Sequence, residues 1–287
     1  MFSQNKIKQI VENTLIADSY SLGAHWVYDE KQLENLDIDW GELNAPQAMW
    51  HKGKSAGDFT HIGDQAYWLY QFLKGKESFE PSTYLNFWKE KMSDYDGYID
   101  GATRETLENI ENGNMIGSNS HDFSVIGRIT PLLLVSKNED AFRENVQEFV
   151  KLSHNNKTVL EAADFFARLL FTVEKTENIE NEMTKLSKEY GDFIQQGTIS
   201  GIESIQKNSF EAIRDFGPAC DIDGGFPGII HLVLKYPNNL KELLVQNAKA
   251  GGDSSSRAMP ATMILSANSD KQNLPTTWVK NVNAQMD

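Results

Sequence analysis

Residues 248–267 read AKAGGDSSSRAMPATMILSA. A helical tail runs into Gly251 and Gly252, then Asp253 and three hydroxyls, Ser254, Ser255 and Ser256. From Arg257 an apolar run with helical spacing resumes. An acid and hydroxyls ahead of a helix satisfy its free N–H groups, so capping is one reading of this turn. The other is that it forms half of a site whose second half lies far upstream. Pro260 is expected near the start of the helix, where a missing N–H costs little.

Outward from this stretch, helical periodicity dominates. Ile7, Ile10, Val11, Thr14 and Leu15 follow an i, i+3, i+4, i+7, i+8 pattern. Phe142, Val146, Phe149 and Val150 repeat it, as do Leu160, Ala163, Phe166, Ala167 and Leu170. LKELLVQNAKA and the aromatic DQAYWLYQFLKG, ending at Gly75, are further helices. Strand-like alternation is hard to find, so the chain is expected to be all-α, with residues 1–287 forming one domain. Three stretches rich in Gly, Ser and Asp interrupt the helices as loops: WHKGKSAGDFTHIGD, GNMIGSNSHDFS and FGPACDIDGGFPG.

The totals narrow the function. At 287 residues the chain has 27 Lys+Arg against 41 Asp+Glu, a formal net charge of −14. That surface repels nucleic acid and anionic membranes, so neither is an expected partner. Cys220 is the only cysteine, which excludes an internal disulfide and a cysteine zinc site. With no signal-peptide layout and no apolar run of membrane-spanning length, the chain reads as cytoplasmic.

Polar groups stand in unexpected places. Asp18 falls about three full turns after Ile7, on the apolar face of the first helix, where a carboxylate must be paired, capped or bound. His25, Trp26 and Tyr28 follow it, an aromatic and imidazole cluster that suits a sugar or nucleobase face. Asp64, after Gly63, reads as a helix cap or as an acid aimed into a cavity shared with Asp253. Carboxylate and hydroxyl oxygens such as those of Asp64, Asp253, Ser255 and Ser256 are what Mg²⁺ or Ca²⁺ takes. His121 and Asp122 form either an acid–base pair or a mutual structural contact. Arg128 opens an apolar segment, so its charge is committed to a carboxylate or a ligand anion. Asp100 reads as an N-cap, His154 as a helix-ending donor, His231 as a satisfied core histidine and Cys220 as structural.

Together these loops resemble the ADP-ribosylglycohydrolase family, over most of the chain. The shared order is an acid near the end of the first helix, a metal-binding turn opening a helix, a Gly/Ser loop before R-x-x-P-L, a Ser-His after a helix, and a late Gly-Gly-Asp turn. ADSYSLGAHWVYD, GDQAYW, GYIDGATRETL and GGDSSSRAM are most similar to the branch holding the J-type lens crystallins and selenoprotein J. The resemblance implies an orthogonal bundle of helices around a central cleft. It also implies hydrolysis of the bond between ADP-ribose and a side chain, with two Mg²⁺ ions in active members. Their first metal turn, Thr-Asp-Asp-Thr, aligns with Ile62, Gly63, Asp64 and Gln65. Their second, Gly-Gly-Asp-Thr-Asp-Thr, aligns with Gly251 to Ser256. Asp18 matches the acid of the N-terminal loop, and the glutamate that follows there has no match.

Four metal-facing carboxylates thus become two, Asp64 and Asp253. A pair of divalent cations is not balanced by two carboxylates in a partly dry cleft, so no two-metal centre is expected, and one weakly held Mg²⁺ remains compatible. Arg257 is placed to supply positive charge beside the turn. Two functions follow. One is hydrolysis of an ADP-ribosyl or related glycosidic bond, with Asp18, His121 and Asp122 catalytic. Asp64, Asp253, Ser255 and Ser256 would then form a degenerate metal site, with Trp26, Gln65, Asp100, Arg128 and Arg257 binding a nucleotide-sugar or ADP-ribosylated substrate. Tyr67 or Trp68 would join Trp26 in stacking. The other is a ligand-binding or crystallin-like structural protein that keeps the fold without the chemistry.

Overall fold

The computed structural model of the chain describes residues 2–269, 272 and 274–286. In chain order the helices are α1 (Gln4–Ser21), α2 (Glu30–Glu34), α3 (His61–Leu73), α4 (Pro81–Ser93), α5 (Gly101–Glu111), α6 (Glu139–Ser153) and α7 (Lys157–Thr172). They continue as α8 (Ile179–Ser187), α9 (Asp192–Glu203), α10 (Ser209–Phe216), α11 (Ile222–Lys235), α12 (Leu240–Ala250), α13 (Ser254–Asn268) and α14 (Thr276–Asn281). Short 3₁₀ turns lie between them, among them Met49–His51, Ser124–Arg128 and Thr130–Leu134. Extended pairing among the described residues is confined to two isolated bridges, Ser118 with His154 and Asp122 with Asp221. The all-α class read from the periodicity holds, and one hydrophobic cluster runs from Phe2 to Val282. No described helix is long and apolar enough to cross a membrane.

The bundle is organised on α1 and α13, its most extensive helix pair. Every residue of α1 from Asn13 to Ser21 is buried, and so is α13 from Ser254 to Ala267. A helix buried on all sides is usually apolar all round. These two carry polar side chains that answer one another instead: Asn13 Nδ2 donates to Ser266 Oγ at 3.0 Å, and Ser255 Oγ donates to Asp18 Oδ1. The apolar periodicity near Arg257 therefore marks only the later part of α13, which begins at Ser254 with Asp253 as its N-cap.

Three local expectations are corrected. Pro260 lies inside α13 rather than at its start; lacking an N–H, it leaves the Ser256 carbonyl without its i+4 helical donor. Asp64 is not the cap of α3: Thr60 is, its hydroxyl accepting from Ile62 N at 3.1 Å. The stretch FGPACDIDGGFPG is a loop only to Asp221, which caps α11; Ile222 onward is helix, with Pro227 inside it. By contrast Asp100 caps α5, His154 ends α6, and His231 sits with both ring nitrogens facing hydroxyls, Ser204 at 2.7 Å and Ser209 at 3.0 Å.

Candidate active site

The end of α1 is the hub. Asp18 is fully buried, and its Oδ2 accepts the Thr60 backbone N–H at 2.8 Å. Oδ1 accepts the Thr60 hydroxyl at 2.6 Å and the Ser255 hydroxyl. One carboxylate of α1 thus ties the N-terminus of α3 to the N-terminus of α13. Gly63 permits the approach: a Cβ there would stand 2.0 Å from Asp18 Oδ2. Burial pushes the Asp18 carboxyl up to about 6, against the opposing hydrogen bonds from Ser255 and Thr60.

The late turn reaches this hub through its two glycines. Gly251 and Gly252 take φ of 70° and 62°, a region glycine enters without strain. Trp26 N donates to Gly252 O and Gly252 N to Val27 O, both at 2.8 Å, and Asp253 N donates to Pro218 O at 2.7 Å. The turn is therefore threaded between the α1 exit and the loop before α11. Arg257, fully buried, braces it: its guanidinium donates to Asn247 Oδ1, Pro218 O and Gly251 O. Gly228 leaves room for that side chain, a Cβ there meeting Arg257 Cδ at 3.1 Å. Arg257 is thus beside the turn as expected and spends its donors on holding it.

Gln65, Arg128 and Asp100 form a network that leaves Arg128 Nε without a partner among the described residues. Gln65 Oε1 accepts from Arg128 Nη1 at 2.7 Å and Trp88 Nε1 at 2.9 Å. Arg128 Nη2 also donates to Ser124 Oγ at 2.7 Å and lies 3.8 Å from Asp100 Oδ2. Asp100 itself holds Thr103 N and Oγ1 at 2.7 and 2.8 Å. All three residues are buried, and their polar atoms brace α3, α5 and the 3₁₀ turn Ser124–Arg128 against one another. Tyr67 and Trp68 are also turned away from Trp26: Tyr67 OH donates to Gln285 O, and Trp68 packs edge-on against Tyr95.

Asp64 faces different partners from Asp253. Its Oδ2 receives Lys54 Nζ and Tyr95 OH, each at 2.6 Å. Asp253 caps α13 through Oδ1, which accepts Ser256 N at 3.2 Å and lies 3.7 Å from His25 Nδ1. Its Oδ2 has no hydrogen-bond partner among the described residues, and neither have Ser254 Oγ and Ser256 Oγ. One oxygen of Asp253, one of Asp122 and the Cys220 sulfur lie within 4.8 Å of one another. Asp253 is pushed up to about 7 by burial and then by the charge of Asp122. Asp122 is held below the usual carboxylate range: burial raises it, but His154 Nε2 at 3.5 Å and the Ser124 N–H at 2.8 Å outweigh that. His121 is not its partner; it turns outward to the exposed pair Asp221 and Asp223. The acid–base pair expected at 121 and 122 is corrected to Asp122 with His154.

Trp26 forms an aromatic wall with rings the sequence had not marked. Its φ of 64° makes it the only non-glycine with positive φ among the described residues, a conformation a bulky side chain adopts under strain. The ring stacks on His25 at 4.9 Å and meets Tyr98 edge-on at 4.8 Å and Trp50 at 6.4 Å. Trp50, His51, Lys54 and Tyr98 line a cavity of about 380 Å³ that opens to solvent.

The chain as a whole has known relatives. The sequence model of the ADP-ribosylglycohydrolase family matches residues 4–287. The chain belongs to the ADP-ribosylglycohydrolase family. Crystallin J1A of Tripedalia cystophora is 21% identical over 299 residues, spanning 96% of this chain and 92% of that protein. Crystallin J1B of the same animal is 21% identical over 302 residues, spanning 96% and 91%. A solved structure described as an ADP-ribosylglycohydrolase-related protein complex superposes with a TM-score of 0.64 at 15% identity, covering 98% of this chain and 93% of that one.

Within this glycohydrolase fold the residues present do not fit a pair of Mg²⁺ ions. Asp64 Oδ2 is taken by the Lys54 ammonium and the Tyr95 hydroxyl, and the Ser255 hydroxyl donates to Asp18, so a metal pair at these two residues would have to displace a cation and break both bonds. Since Thr60 caps α3, the turn that opens this helix is Thr60–Gly63, with His61 and Ile62 following the cap, two residues before the alignment made on sequence. The free hard donors are those of the late turn, Asp253 Oδ2 with Ser254 and Ser256. Lys54, Thr60, Tyr95, Tyr98, Trp50 and the histidines at 51 and 61 were not marked as site residues beforehand. They come from loops without periodicity, and only the Thr60 cap carried a local signal.

Proposed function

We propose that this protein hydrolyses a glycosidic bond of an ADP-ribosyl or related nucleotide-sugar substrate, at Asp122 and Asp253 and without a metal pair. The observation that carries this is the meeting of the two carboxyl groups beside Cys220, at the junction of the late Gly-Gly-Asp turn with the loop before α11. Their opposite tendencies suit divided labour: an ionised Asp122, oriented by Ser124 and His154, to take a proton from water, and Asp253, raised to about 7 and so available in its protonated form at neutral pH, to give one to the leaving group. Trp26, with Trp50 and Tyr98, would stack on the base or sugar. Asp253, Ser254 and Ser256 would hold a single Mg²⁺ only with Asp253 ionised, so metal binding there and proton donation by Asp253 would exclude one another. Asp18 serves as a positioning residue, since its oxygens are committed to Thr60 and Ser255.

A second reading, binding without turnover, is favoured by the Lys54–Asp64 ion pair and by likeness to lens crystallins. Calorimetry with ADP-ribose, together with chromatography of ADP-ribose released from an ADP-ribosylated protein, separates them. Release that falls at least about 100-fold in Asp122→Asn supports hydrolysis. Binding without release supports the second reading, and neither binding nor release removes both.

A further inference from the structure

Beyond the carboxylate pair, the interior holds a second group of ligating side chains. His25 follows α1, His51 ends the 3₁₀ turn Met49–His51, and His61 is the first residue of α3. One ring nitrogen from each lies within 4.8 Å of the other two, and the three side chains are 0%, 2% and 1% exposed. We propose that His25, His51 and His61 form a binding site for a first-row transition cation, with Zn²⁺ best suited to it.

Geometry is the first support. His51 Nε2 and His61 Nδ1 are 3.2 Å apart. Two nitrogens bound tetrahedrally at about 2.0–2.1 Å from one ion stand about 3.3–3.4 Å apart. A simple hydrogen bond between these two rings accounts for that contact alone. It leaves His25 Nε2 buried without a partner among the described residues. Buried polar atoms are ordinarily satisfied, so this orphan beside the other two rings points to a ligand.

The surroundings are those of a metal site. Asp100 Oδ2 lies 3.6 Å behind His61 Nε2, and Asp253 Oδ1 lies 3.7 Å behind His25 Nδ1. Carboxylates in that position fix the tautomer and direct the other nitrogen at the ion. His25 Nδ1 accepts the Ser255 backbone N–H at 3.2 Å, so binding through His25 Nε2 moves the ring proton to Nδ1, toward Asp253, and opens that bond. The neighbouring cations are engaged elsewhere: Lys54 with Asp64, Arg128 with Gln65 and Ser124, Arg257 with Asn247. Three imidazoles select zinc, copper, nickel or cobalt over magnesium and calcium. They leave one coordination position for water or a small anion, and His51, which lines the solvent-opened cavity, gives the path in.

The test uses full-length protein purified without a histidine tag and stripped of metal. Cobalt(II) is titrated in as a spectroscopic probe, Zn²⁺ is then added in competition, and bound metal is counted by elemental analysis. The expected result is one equivalent of cobalt with the intense visible bands of four-coordinate nitrogen ligation, displaced by one equivalent of Zn²⁺ and untouched by excess Mg²⁺. His51→Gln, checked for its helical circular dichroism, is expected to weaken Zn²⁺ binding at least about 100-fold. Wild-type protein that yields only the weak spectrum of six-coordinate cobalt, or no uptake, overturns the proposal, as does a folded His51→Gln that binds Zn²⁺ unchanged. Neither readout depends on turnover, so the glycosidic reading stands or falls separately.

Discussion

Asp18, three residues from the end of α1, accepts the hydroxyl of Ser255, which lies 237 positions later in the chain. The same carboxylate takes both the N–H and the hydroxyl of Thr60. The two helix-opening turns that the sequence suggested would converge do so on this acid rather than on each other's acids. Asp64 meanwhile is held by Lys54 and Tyr95 on a separate set of contacts.

The first expectation concerns pH. Asp18 is pushed up to about 6 by burial in the folded chain, against about 3.9 when unfolded. The folded state therefore holds this proton more tightly. Its contribution to stability is full below pH ~4 and is lost as pH rises through about 6. Urea unfolding of wild type and Asp18→Asn at matched pH values measures this. Wild type is expected to lose about 2 kcal/mol relative to the variant between pH ~4 and ~7. A constant difference across that range would contradict the assignment.

Gly63 is expected to be intolerant of a methyl group even inside a helix. Alanine favours helix by about 1 kcal/mol, but overpacking a core typically removes about 1–3 kcal/mol. A Cβ at 63 would meet Asp18 Oδ2 at 2.0 Å and Phe59 Cβ at 2.9 Å. Gly101, in the first turn of α5, has nothing within 4 Å of such a Cβ. Thermal unfolding should place Gly63→Ala below wild type and Gly101→Ala at or above it. Equal behaviour of the two variants would remove the packing argument.

Lys54 and Tyr95 donate to the same oxygen of Asp64, so their contributions should not add. Lys54→Ala is expected to lower stability by about 1–2 kcal/mol, discounted for partial exposure. A double-mutant cycle with Tyr95→Phe should give a coupling of at least about 0.5 kcal/mol. Strict additivity would mean that the two side chains do not act on one carboxylate in solution.

Cys220, the single cysteine of the chain, reports on the carboxylate pair. Burial, then the charges of Asp122 and Asp253, raise its thiol above the ordinary range. Alkylation near pH ~8 should be more than about tenfold slower than for an unstructured cysteine, because only the thiolate reacts. Asp122→Asn should speed it severalfold. An unchanged rate would show that Asp122 does not face Cys220.

Much of the framework was legible from residue spacing. The periodic runs became α1, α6, α7 and α12, and the acids at 100 and 253 cap their helices because a carboxylate ahead of free N–H groups has few better positions. Asp18 was recognisable as a paired buried acid, though its partners were not. Pairings are set by tertiary contacts that no local pattern encodes. Nothing near Asp64 showed that Lys54 would reach it, or that Gln65 and Arg128 would satisfy one another. The histidine group escaped for the same reason, its members coming from three separate segments. Pro260 misled because α13 begins at Ser254, several residues before the apolar run that the sequence showed.

The central claim is that the two turns meet through Asp18 while Lys54 holds Asp64, with no metal pair between Asp64 and Asp253. Crystals soaked in concentrated MgCl₂ test this most directly. The account predicts Lys54 Nζ still at ion-pair distance from Asp64, Ser255 still bonded to Asp18, and no ion bridging Asp64 and Asp253. Two hexacoordinate ions between those aspartates, with Lys54 displaced, would contradict it.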